Sequence, residues 1–98
     1  MFLLLSRYVK PESEVDAHLE AHRAFLDRQY AAGRFIVSGP CVPRIGGVIV
    51  TADMSREELD AIMQEDPFAR EGVSEYQVIE FTATKRAQGF LSALETNR

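Results

Sequence analysis

The sequence predicts an α+β domain whose elements run strand, helix, strand, strand, helix, strand. Three observations lead there. Four apolar-rich segments have strand length, two longer segments carry a helical apolar spacing or a helix-start signature, and turn residues separate most of them. A chain of 98 residues is sized for one domain, residues 1–98, in which 84–98 form a C-terminal tail.

The first strand is "FLLLSRY", Phe2 to Tyr8, and "KPES" turns the chain after it. A single long helix is expected from Ser13 or Glu14 to Ala32. Within it Val15, Leu19, Leu26 and Tyr30 recur at spacings that align on one face. Ser13 is the expected N-cap, Glu14 and Asp16 suit the first turn, and Gly33 is placed to end the helix in the left-handed conformation. A second strand runs from Arg34 to Gly39 and a third from Val48 to Ala52, joined by "PCVPRIGG".

Ser55 followed by Glu58 makes a capping-box signature for a second helix, Ser55 to about Glu65, burying Leu59, Ile62 and Met63. The fourth strand is "SEYQVIEFTA", Ser74 to Ala83, and "FLSALE" in the tail reads as a short helix. The order βαββαβ is the ferredoxin-like arrangement, a four-stranded antiparallel sheet with both helices on one face. The segments "FIV" and "VIV" are apolar on both sides, so the other sheet face needs a cover as well. A second copy of the chain is the expected cover, giving a dimeric α/β barrel-like assembly; the alternative is the tail helix folding back as a lid.

Composition narrows the function. Hydrophobic residues make up 46% and charged residues 27% of the chain, with a net charge of −4, which argues against a general phosphate-binding surface and so against nucleic acid. The opening "MFLLLSRY" is too short for a secretory leader, and no apolar run approaches the roughly 20 residues that span a bilayer. The lone Cys41 points to a reducing cytoplasm. A small molecule or another protein chain is the expected partner, with no membrane contact.

Chemistry concentrates in "HLEAHRAFL". At about 100° per residue His22 falls within about 20° of Val15, inside the apolar stripe, and His18 lies on its margin. A histidine pointing inward needs a partner for its ring nitrogens, which a backbone carbonyl or a carboxylate can supply. The spacing His18–His22 could serve a metal. The glutamate between them does not fit H-E-x-x-H or H-x-x-E-H, so neither metal nor cofactor is expected.

The second helix ends in Glu65 and Asp66 before Pro67, although a helix C-terminus disfavours acids. Asp66 suits the N-cap of a following turn with Pro67 at its first position, and the same carboxylate could also accept a hydrogen bond from His22. Arg7 and Arg44 are the candidates for neutralising an anionic substrate. Cys41 has no feature that would activate its thiol, and "RIGG" lacks the lysine of a phosphate loop.

The segments "AHRAFLDRQYAAGRFIVSGP", Ala21 to Pro40, and "DPFAREGV" in this order resemble the YCII-related (YciI-like) family of small bacterial proteins, over most of the chain up to about Lys85. The resemblance implies a ferredoxin-like dimer with packed sheets. It also implies a pocket in which His22 and Asp66 stand at the positions of the family's His–Asp dyad, with Ser38, Gly39 and Pro40 shaping its wall. Leu19 and Glu20 stand where some relatives have an Arg-Pro pair. One activity known in the family is dehydrochlorination of a chlorinated hydroxyhydroquinone, and the similarly built muconolactone isomerases act on related ring-cleavage chemistry. The expected function is a small-molecule lyase or isomerase using general acid–base chemistry; the alternative is a non-catalytic dimeric binding module for a small metabolite.

Overall fold

The computed structural model describes residues 1–90. Its elements are β1 (Phe2–Tyr8), α1 (Glu12–Ala17), α2 (Leu19–Ala31), β2 (Phe35–Pro40), β3 (Gly47–Thr51), α3 (Arg56–Met63), α4 (Pro67–Arg70) and β4 (Ser74–Glu80). The strands form one antiparallel sheet in the order β2-β3-β1-β4. The α+β class and the four-stranded antiparallel sheet are therefore as the sequence predicts. The short helix expected in the tail lies for the most part outside the described residues.

Local chemistry explains most element boundaries. Ser55 adopts an extended backbone and its side chain accepts from the Glu58 backbone N–H, which starts α3. Gly33 ends α2 with φ of 72°, a conformation that glycine adopts without a Cβ clash. β2 extends one residue beyond expectation, to Pro40, because β2 is an edge strand and its missing N–H interrupts no ladder. β4 ends at Glu80 rather than Ala83.

The long first helix is corrected. It is two helices, broken at His18, whose φ of −107° leaves the helical region. Its N-cap is Pro11, without a side-chain cap bond, and Ser13 lies inside α1. The break has a packing cause. Val15 is buried with Phe68 and Val73, beside Tyr8 and Leu19, whereas Phe25 is buried with Phe2, Leu4, Phe35, Ile49, Leu59 and Ile62. These are separate clusters, and one straight helix would not direct Val15 into the first and Phe25 into the second. The buried line of α2 is accordingly Phe25 and Gln29, with Leu26 and Tyr30 only partly buried.

The sheet register sorts the strand residues by face. Leu4 lies opposite Ile49 and Val78 on the helix side, while Leu3 lies opposite Val50 and Ile79 on the outer side. Leu3, Leu5, Val48 and Val50 are only partly buried there, and Val37 is 54% exposed. On the helix side, β1 and β3 meet at a tight contact: a Cβ on Gly46 would lie 1.8 Å from the Ser6 carbonyl oxygen, and the next residue, Gly47, donates its N–H to Ser6 Oγ at 2.8 Å.

Two glycine variants separate close approach from mere flexibility. Gly46→Ala drives a Cβ into the Ser6 backbone and is expected to cost about 3 kcal/mol, the upper end of the usual overpacking penalty. Gly39→Ala meets nothing within 4 Å and should stay within about 0.5 kcal/mol of the parent. Urea midpoints at equal m-values report both.

Candidate functional site

Asp66 is the fully buried acid among the described residues, with 0% of its surface exposed. Its position follows from local backbone preferences. The residue before a proline is pushed out of the helical region, and Asp66 sits at φ −73°, ψ 118°, which closes the α3 segment and caps α4 with Pro67 in the first turn. Asp66 Oδ1 accepts the Phe68 backbone N–H at 3.0 Å. The same oxygen lies 2.7 Å from His22 Nδ1, which α2 brings across, and Oδ2 accepts a short hydrogen bond from the Tyr76 hydroxyl of β4. The sequence allowed the cap and the histidine contact together. One carboxylate makes both.

Burying a carboxylate costs several kcal/mol unless charge-assisted hydrogen bonds replace its water. Three donors do so here: an imidazole, a phenol and a backbone N–H. An ionised carboxylate only accepts, so the hydrogen of the His22–Asp66 bond belongs to Nδ1. In the neutral imidazole that leaves Nε2 with a free lone pair. The Phe68 ring lies flat on the imidazole, centroids 3.9 Å apart and planes 5° from parallel, and fixes its plane. Burial, and after it the negative charge and hydrogen bond of Asp66, push the Tyr76 phenol well above its ordinary value, so Tyr76 is held as a donor.

His22 and Tyr76 both line a cavity of about 240 Å³ between α2 and the inner sheet face. An apolar cavity of roughly 150 Å³ holds a benzene molecule, so this one has the size for a single substituted ring. Four further residues singled out in the sequence line the same cavity: Ser38, Gly39, Pro40 and Arg44. Ser38 Oγ is 2.5 Å from the Tyr30 hydroxyl, an arrangement in which either can donate. Arg44 reaches from the β2–β3 loop to α1, binding Glu12 at 2.8 Å and Asp16 at 2.7 Å, and its guanidinium lies over the Tyr8 ring. The two carboxylates raise its already high pKa further.

Arg7 is not among these residues. Strand alternation points it away from Ser6 and Tyr8, and it pairs with Glu75 at 3.3 Å in solvent. Cys41 is a free, half-buried thiol in the β2–β3 loop. Among the described residues no group of three or more His, Cys, Asp or Glu is arranged to hold a metal, and no helix is long and apolar enough to cross a membrane.

Sequence reasoning missed Tyr76, Phe68 and Arg23, all of which line the cavity. Alternation along β4 held a signal for the first. Ser74, Tyr76 and Val78 share the helix-facing side, opposite Tyr8, Ser6 and Leu4.

The family model of the YCII-related domain matches residues 1–82. The uncharacterized protein YjpA of Bacillus subtilis (strain 168) is 32% identical over 85 residues, covering 87% of this chain and 100% of its own length. Among solved structures, the 5-chloro-2-hydroxyhydroquinone dehydrochlorinase of Burkholderia phenoliruptrix AC1100, in complex with 2,5-dihydroxybenzoquinone, superposes with a TM-score of 0.67. It is 23% identical, with 84% of this chain and 94% of that chain covered, and the likeness is one of fold.

Two measurements probe the buried cluster. Long-range proton–nitrogen NMR spectra, recorded where the imidazole is uncharged, should show His22 as the Nδ1–H tautomer, with Nε2 unprotonated, and Asp66→Asn should abolish that preference. At about pH 11, one unit above the usual tyrosine value of about 10, Tyr76→Phe should leave the ultraviolet phenolate signal unchanged, because Tyr76 is not yet ionised. A phenol raised in the folded state adds stability in full below about pH 10, and that contribution declines as pH rises above it. Tyr76→Phe should therefore flatten the alkaline fall in stability.

Proposed function

Since the chain belongs to the YCII-related family, we propose that it is a small-molecule lyase or isomerase in which His22 moves a proton and Asp66 orients it. The observation that carries this reading is the 2.7 Å contact between His22 Nδ1 and a wholly buried Asp66, on the wall of a ring-sized cavity. It is the base-and-orienter arrangement of general acid–base sites. The Nε2 atom is the proton acceptor, and Asp66 stabilises the imidazolium that forms.

The fold shared with a dehydrochlorinase supports one concrete version, removal of a halide from a hydroxylated ring. Consider a halogenated hydroquinone. His22 takes the proton of the hydroxyl next to the halogen and returns it to the ring carbon that bears the halogen, leaving a ketone. Loss of the proton from the second hydroxyl then drives electrons through the ring, and halide leaves with its bonding pair. The product is a quinone, the net loss is one hydrogen halide, and no external oxidant is consumed. Flat apolar walls such as Phe68 and Ile49 suit the ring, and Ser38 offers a hydroxyl to its oxygens.

The assembly belongs to the same reading. The outer sheet face carries Leu3, Leu5, Val50 and the exposed Val37 and Ile79, while the helices pack on the other side. A contiguous apolar face of this kind is a surface that association buries, and a second copy of the chain is the proposed occupant.

Halide release from a chlorinated hydroxyhydroquinone tests the chemistry. The wild type should turn over, His22→Gln should lose about 10²- to 10⁴-fold, and Asp66→Asn should fall in between with a changed pH profile. Saturable binding with no turnover by the wild type would favour the binding-module alternative instead. For the assembly, sedimentation should show a dimer, and Val50→Asp, which sets a charge on the outer face, should give a folded monomer.

A further inference from the structure

Two guanidinium groups line the cavity, those of Arg23 on α2 and Arg44 in the β2–β3 loop. Their electrostatic situations differ. Arg44 is already bound by Glu12 and Asp16, whose two charges exceed its own. Arg7 is bound by Glu75 and Arg56 by Asp60, and neither lines the cavity. Arg23 makes no ion pair and no side-chain hydrogen bond among the described residues, and it directly follows His22 in α2.

We propose that Arg23 is the anion-recognising residue of the cavity, binding a carboxylate or an ionised ring hydroxyl of the substrate. This rests on the reading of the cavity as a small-molecule site and narrows the ligand to an anionic ring. Arg44 is the weaker receptor, because a ligand anion would have to displace carboxylates held at 2.7 and 2.8 Å. It works as a latch that ties the loop to α1. Arg23 has nothing to give up, and its planar fork of donors matches a carboxylate or two neighbouring oxygens. Its place beside His22 also suits the chemistry. When Nε2 removes a hydroxyl proton, negative charge appears on the substrate oxygen, and an unpaired guanidinium on the same wall stabilises it.

Equilibrium binding tests this without requiring turnover. The probes are 2,5-dihydroxybenzoquinone, a vinylogous acid that is anionic at neutral pH, and hydroquinone, which is neutral. NMR titrations would follow the wild type, Arg23→Gln, Arg23→Lys and Arg44→Gln, with backbone spectra confirming that each is folded. Arg23→Gln should weaken the anionic ring about tenfold or more while hydroquinone changes by less than about twofold, and Arg23→Lys should recover part of the loss. Equal losses for both probes would overturn the assignment. So would unchanged anion binding in Arg23→Gln, a selective loss in Arg44→Gln alone, or failure of the wild type to bind the anionic ring. None of these readouts depends on His22 acting as a base, so failure here and failure of the acid–base reading are separate results.

Discussion

A carboxylate removed from water must find donors, and the position of Asp66 makes three parts of the chain supply them. The imidazole comes from α2, the backbone N–H from the first turn of α4 and the phenol from β4. An acid at the end of α3 works against that helix dipole by about 0.3–1 kcal/mol. The N-cap of α4 alone offsets a comparable amount, and the bonds from His22 and Tyr76 add to it. The constraint that orients the histidine also fixes how α2 and α4 meet the edge strand β4. Site and fold are therefore coupled: loosening Asp66 would disturb both.

A second set of charges works at the mouth of the cavity and by a different rule. Arg44, Glu12 and Asp16 are substantially exposed, so their ion pairs add little to global stability. Their effect is positional, since they join a loop without regular structure to α1 and set Tyr8 beneath the guanidinium. Beneath them the close contact of Gly46 with the Ser6 backbone brings the loop down to the sheet, where a side chain would hold it off. Buried Asp66 orients the His22 imidazole, and exposed charge shapes its surroundings.

Much of this was legible in the sequence because it depends on neighbours along the chain. Ser55 with Glu58 marks a helix start through one side-chain acceptor, Gly33 marks a helix end through its permitted positive φ, and Asp66 before Pro67 marks a cap through backbone sterics. The apolar spacing around His22 placed that ring on the inner side. The break at His18 was not legible, since no glycine or proline announces it. It arises because Val15 and Phe25 are drawn into separate clusters.

The sequence by itself determined the order of strands and helical segments, the α+β class, the inward-facing histidine and the cap at Asp66, all of them consequences of short-range sterics and periodicity. Tertiary structure decided that one carboxylate serves cap, histidine and Tyr76 together, that Arg44 is neutralised by α1 and that Arg7 faces solvent beside Glu75. The physical reason is distance. A hydrogen bond depends on a few tenths of an ångström between atoms whose residues lie far apart in sequence, and only the packed sheet register and helix positions set that separation.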